Sequence, residues 1–152
     1  MRKVGLIIAT ILLCLSSCQR RVVYSDFYSM PAEGWHQDSI LNYDVTVADT
    51  ISDYNILLVV RHTNQYPYQN LWLFIDEYAG NMLLRRDTVE AMVADDFGRW
   101  LGNGVNRYEI PLMYDASYRF MQKENNRITI QQGMRTTWLT GITDVGVEVI
   151  KN

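Results

Sequence analysis

Alternation of apolar and polar residues with period two constrains this chain more than any other feature, because it puts one face of a strand in a core and the other in water. Leu41, Tyr43, Val45 and Val47 alternate with Asn42, Asp44 and Thr46, and Tyr108, Ile110 and Leu112 alternate with Arg107, Glu109 and Pro111. Both segments are predicted half-buried strands. Residues Tyr54 to Thr63 and Asn70 to Glu77 are instead nearly continuous apolar runs, which predicts central strands covered on both faces. Between them Pro67 has no amide proton for a ladder and forces a turn, so these strands form a hairpin or cross between sheets. Further strands are expected at Met82 to Val89, Ser117 to Gln122, Arg127 to Gln132 and Asp144 to Ile150, with turns at Ala79-Gly80-Asn81 and Glu124-Asn125-Asn126. Helical periodicity is scarce. Roughly nine short strands predict an all-β chain, a single antiparallel β-sandwich of immunoglobulin-like or jelly-roll topology; the pattern does not choose between the two.

Ahead of the sandwich stands an address. Arg2 and Lys3 are followed by an apolar run from Val4 to Leu15 and then by Ser16-Ser17-Cys18, the positive, apolar and small-residue order of a secretory leader. The run is too short for a spanning helix, which needs about 20 apolar residues. Small residues before Cys18 suit lipoprotein signal peptidase, whereas Leu13 before Cys14 is too bulky for its pocket. The expected organisation is a removed leader over 1–17, a lipidated Cys18 with a short tether over 18–24, and a β-sandwich over 25–152. Cleavage leaves 12 basic residues against 17 acidic ones, a net charge of −5. That balance, with no basic face, argues against nucleic acid. With Cys14 removed and Cys18 acylated no thiol remains, so the domain folds in an oxidising compartment without a disulfide.

Reactive constellations are sparse. His36 and His62 are the only histidines and neither has a second ligand at a metal-binding spacing, so no metal site and no cofactor are expected, and His62 reads as a structural residue ending a buried strand. There is no Gly-x-Ser-x-Gly elbow, and Asp96-Phe97-Gly98 matches the kinase magnesium triplet without the other kinase motifs. Asp76-Glu77 and Asp95-Asp96 read as solvated turn carboxylates, and Arg85-Arg86 as a solvated strand pair. More informative is Asp96 to Gly104, where Gly98, Gly102 and Gly104 surround Arg99 and Trp100 without alternation. This reads as a shaped loop that either presents Arg99 and Trp100 to a partner or plugs the end of the sandwich. Gln131 to Arg135 has the same character.

Several words occur in order along the chain: Arg61-His62-Thr63-Asn64, Tyr66 to Ile75, Gly98-Arg99-Trp100-Leu101-Gly102, Gln132-Gly133-Met134-Arg135 and Leu139 to Gly146. Together with the Cys18 lipobox they resemble the gliding motility lipoprotein family GldH over nearly the whole chain. The resemblance implies a non-catalytic outer-membrane lipoprotein that supports gliding motility or secretion-machinery assembly. Its partners would be other envelope lipoproteins or outer-membrane proteins. Gln19-Arg20-Arg21 lacks the acidic residues of a surface-export signal, which favours the periplasmic face. Candidate partner-binding residues are Arg99, Trp100, Tyr66, Tyr68, Asn70 and Arg135. An alternative is a carbohydrate- or peptidoglycan-binding module using Trp100, Tyr66 and Tyr68 with Asn70 and Arg99. Asp38-Ser39-Ile40, Asp49-Thr50-Ile51 and Asp87-Thr88-Val89 look like O-glycosylation sequons of this bacterial group, with Ser39, Thr50 and Thr88 as acceptors.

Overall fold

The computed structural model describes residues 21–152, so the leader, Cys18 and the first residues of the tether lie outside the described residues. Eight long strands build the domain: β1 (Arg21–Ser29), β3 (Leu41–Val45), β4 (Tyr54–Thr63), β5 (Asn70–Ala79), β6 (Met82–Met92), β8 (Arg107–Tyr118), β9 (Asn126–Gln132) and β11 (Ile142–Lys151). Three two-residue strands complete it: β2 (Trp35–His36), β7 (Asn103–Gly104) and β10 (Trp138–Leu139). One sheet has the order β1-β11-β4-β8-β7, the other β3-β9-β5-β6, and β2 and β10 form a separate ribbon.

The pairing has a simple rule. Counting only the long strands, first pairs with last, second with seventh, third with sixth and fourth with fifth, all antiparallel. Successive pairs belong to opposite sheets. This is the jelly-roll connectivity, a long hairpin rolled so that alternate pairs fall on opposite layers, and it excludes the immunoglobulin-like alternative. The β4–β5 connection accordingly crosses between sheets and does not form a hairpin.

Burial follows the alternation. Tyr43, Ile56, Leu58, Leu71, Leu73, Ile75, Ile130, Val145, Val147 and Val149 meet in one core between the layers. Its aromatic members end on carbonyls: the Tyr43 hydroxyl donates to Val145 O (2.7 Å), Tyr54 to Asp49 O (2.9 Å) and Trp35 Nε1 to Ser39 O (3.0 Å). A buried phenol or indole is thereby kept from carrying an unsatisfied donor.

Four expectations are corrected. β1 begins at Arg21, so the sandwich starts within the stretch expected to be tether. The late strand expected over Ser117 to Gln122 ends at Tyr118, where positive φ at Ser117 and the turn toward β9 stop the ladder. β4 is buried on both faces, but β5 alternates, turning Trp72 and Phe74 outward. Finally, Glu77 is not solvated and Arg85 is only partly so: Glu77 is buried and accepts two hydrogen bonds from Arg85, whose Nη1 reaches Asp115 on the facing sheet at 2.8 Å. Arg85 also lies over the Tyr114 ring, and Tyr114 donates to Asp87 (2.8 Å). This cluster pins the open edge between β6 and β8. The neighbouring Arg86 points outward and makes a bidentate pair with Asp76, whose carboxyl it holds below the usual range.

Candidate functional site

Strand registers sort the loops between two ends. At one end Arg21 lies opposite Lys151, Lys151 opposite Tyr54, and Tyr54 opposite Tyr118. The 46–53 and 119–125 connections and the turn at Gly80 share this end, joined by Val47 N to Lys123 O (2.9 Å) and Gly80 N to Asn125 O (2.7 Å). At the other end Thr63 lies opposite Arg107, Asn70 opposite Met92, and Ser29 opposite Asp144. All six candidate partner-binding residues fall at this second end, the one away from Arg21.

They do not share one surface. Tyr66 is a core residue whose hydroxyl donates to Asn70 O at 2.7 Å, which removes it from any contact face. Trp100 is half-buried against the core, and its Nε1 donates to Asn64 Oδ1 at 2.8 Å. Its ring meets His62 edge-on with centroids 4.6 Å apart, while His62 stacks on Tyr108 at 5.4 Å. Trp100 thus packs over His62 at this end of the sandwich while keeping part of its surface in water. That histidine is fully buried. Its Nδ1–H donates to Thr63 O (3.1 Å), while Nε2 has no hydrogen-bond partner, and burial pushes its pKa down so that the ring is held neutral.

The loop carrying Trp100 is braced locally. Ala94 bridges to Trp100, Asp95 N donates to Arg99 O, and Gly98 takes positive φ at the turn. Asp95 Oδ1 accepts the Phe97 and Arg99 amides at 2.9 Å each, and Oδ2 accepts Arg99 Nε at 2.8 Å. These bonds hold the Asp95 carboxyl below its usual pKa and make it a turn-former. With Trp100 turned in, the loop presents Phe97 at 85% exposure and Val105 at 80%, with Leu101 beside them. Sequence reasoning placed the loop and named Arg99 and Trp100 on it, but did not single out Phe97, Leu101 or Val105.

A second surface lies beside it. Tyr68, Asn70, Trp72, Gly133, Met134 and Arg135 line a groove of about 370 Å³. Gln132 builds it from beneath: buried, it accepts Met134 N (2.8 Å) and donates to Thr136 O (3.0 Å). Gly133 N donates to Trp72 O, and a Cβ on Gly133 would press on the Phe74 ring and Trp72 Cβ at 3.2 Å. Asn70 donates to Glu90 across the strand pair at 2.6 Å. Trp72 was legible as an outward residue from its parity with Leu71 and Leu73, but an aromatic on a wet face does not break an apolar run.

Of the sequon hydroxyls, Ser39 and Thr88 are exposed and Thr50 is half-buried. Among the described residues no three His, Cys, Asp or Glu side chains converge on a metal-sized site.

A jelly-roll domain with braced, aromatic loops at one end defines the class. Residues 22–149 match the GldH lipoprotein family, and the chain belongs to that family. It is 32% identical to a gliding motility lipoprotein GldH homolog of Christiangramia forsetii, covering 98% of this chain and 95% of that protein. Gliding motility lipoprotein GldH of Flavobacterium johnsoniae is 32% identical over 95% of this chain and 92% of its own length. Among solved structures, the infectious bursal disease virus VP2 subviral particle aligns with 90% of this chain at 18% identity and a TM-score of 0.31; this chain spans about a third of that one.

Proposed function

We propose that this chain supports gliding motility as a non-catalytic lipoprotein, anchored through Cys18 to the periplasmic face of the outer membrane, which binds another envelope protein through its distal loop. The relatives' names motivate the process. The observation that carries the binding role is the 93–105 loop, which packs Trp100 against the core as a brace and leaves Phe97, Leu101 and Val105 in water at the end away from Arg21. Exposed apolar side chains on a rigid loop lose little entropy when covered, which favours association.

The test is cross-linking in native cells followed by purification of the lipidated protein, comparing wild type with a Phe97→Asp, Val105→Asp double variant. Both residues are exposed, so the melting temperature should stay within about 2 °C. Recovery of motility or secretion-apparatus proteins should fall at least about tenfold, in line with about 2 kcal/mol for an interface hot spot. Undiminished recovery would overturn the assignment to this loop. A Trp100→Ala variant is unsuitable here, because it would unseat the brace.

A second reading is favoured by the Tyr68–Trp72 groove: two partly exposed rings flank the Asn70 amide and the Arg135 guanidinium, the polar-plus-aromatic lining that suits a glycan. Peptidoglycan pull-down that is lost in Trp72→Ala would support it, and no binding above background by wild type would dismiss it.

A further inference from the structure

We infer that the end of the sandwich next to Arg21 is a membrane seat, in which Ile51, Met82 and Met121 insert into the headgroup–acyl boundary of the bilayer that holds the lipid anchor. This inference rests on the anchoring at Cys18 proposed above.

The first observation is a length. Three peptide links separate Cys18 from Arg21, so the lipid-bearing residue lies within about 11 Å of the start of β1. Arg21 is paired with Lys151 at the bottom of the five-stranded sheet. There is no room for a stalk, and this end of the domain cannot stand clear of the headgroups.

The second observation is what that end displays. Ile51 is 84% exposed at the tip of the 46–53 connection, and Met121 is 66% exposed at the tip of the 119–125 connection. Met82 and Leu83 are exposed where β6 leaves the Gly80 turn, and Val22 and Val23 are exposed on the first residues of β1. Each belongs to a different connection or strand start, yet the registers bring all of them to one end. Ile51 is carried on a fixed turn: Asp49 Oδ1 accepts the Ile51 and Ser52 amides at 3.1 and 2.7 Å.

The charges at this end are of both signs, with Arg21, Lys123 and Glu124 exposed beside the apolar tips. Lys151 donates to Asp49 (2.7 Å) and Arg119 to Asp53 (2.5 Å), so two of the cations at this end are turned to carboxylates of the same molecule. With two cations paired and exposed Lys123 offset by neighbouring Glu124, the apolar tips are the larger contribution to the seat. Each inserted side chain contributes modestly, but tethering converts the contact into an intramolecular one at high effective concentration. Ile51, Met82 and Met121 then suffice to fix the domain's orientation. Flexible methionines suit an interface whose packing changes from moment to moment. The consequence is that the 93–105 loop faces away from the membrane.

The experiment uses the full lipidated protein reconstituted in phosphatidylcholine–phosphatidylglycerol vesicles. Single cysteines replace Ile51, Met121 or Val105, each exposed, and carry an environment-sensitive fluorophore. Shallow lipid-borne nitroxides should quench labels at 51 and 121 at least about threefold more than the label at 105, with little change when salt is raised from about 0.05 to 0.5 M. Equal quenching at all three positions would overturn the seat alone. Mass spectrometry of the wild-type N-terminal peptide separates the two ideas: absence of a diacylglyceryl group on Cys18 would overturn the anchor, and with it the seat.

Discussion

The two ends of the jelly roll are finished in opposite ways. At the distal end, connections are long and are packed from inside by Trp100, His62, Tyr66 and Tyr108, so the loops are extensions of the core. At the Arg21 end, connections are shorter; Val47 and Phe120 seat two of them on the core, Phe120 against Tyr54 and Tyr118, while their tips are held by backbone bonds and surface ion pairs such as Lys151–Asp49 and carry apolar side chains outward. A loop packed on a core keeps one shape and can present a specific surface. A short loop seated by one core side chain and tied at its tip by exposed polar contacts, each screened by water, presents only a few apolar side chains, and these suit a fluid neighbour.

The largest expected effect tests the frame that both ends share. Arg85→Met would leave the Glu77 carboxylate, 3% exposed, without its guanidinium and would unpin β6 from β8. The expected loss is about 3 kcal/mol, at the low end for breaking a buried pair because Arg85 itself reaches water. Denaturant titration followed by tryptophan fluorescence should give one transition, displaced as a whole; two transitions would mean that the ends unfold separately.

Two glycines then contrast the ends directly. Gly141, at φ +84°, lies so close to the Tyr66 backbone that a Cβ would overlap it, whereas Gly80, at φ +59°, has nothing within 4 Å of a new Cβ. Gly80→Ala should lose only the left-handed penalty, about 1 kcal/mol. Gly141→Ala should lose that and displace the Tyr66 segment, for about 3 kcal/mol in total. Equal losses in thermal melts would show that the distal end is no more tightly packed than the other.

The smallest effect is a pH slope. His62 has its pKa depressed by burial, so the unfolded chain takes up its proton at higher pH than the folded one. Its stabilising contribution is whole above the unfolded value of about 6.5 and is lost as pH falls through the lower folded value. His62→Phe keeps an aromatic ring between Trp100 and Tyr108 and should flatten the decline in melting temperature between pH 7 and 5; an unchanged slope would assign it to other groups.

Much of this was legible in the chain. The alternation at Leu41 to Val47 and the apolar run at Tyr54 to Thr63 correspond to β3 and β4, and the ordered words from Arg61 to Gly146 marked the GldH family. β1 was missed because an edge strand with few buried side chains does not alternate clearly. Trp72 and Phe74 were misjudged because polarity stands in for exposure in a sequence, and an aromatic on a wet face defeats that proxy. Glu77 fails the same proxy in reverse: a carboxylate can be taken from water when the guanidinium of a half-exposed Arg85 neutralises it.

What the sequence by itself determined is local: which segments extend, where turns interrupt them, and the family to which the words belong. Period-two patterning and turn chemistry act over a few residues and can be read there. The tertiary structure alone decided the jelly-roll pairing, the inward turn of Trp100 and Tyr66, and the gathering of Ile51, Met82 and Met121 at one end. Those outcomes depend on register between strands far apart in the chain, where a shift of one residue exchanges every inward side chain for an outward one.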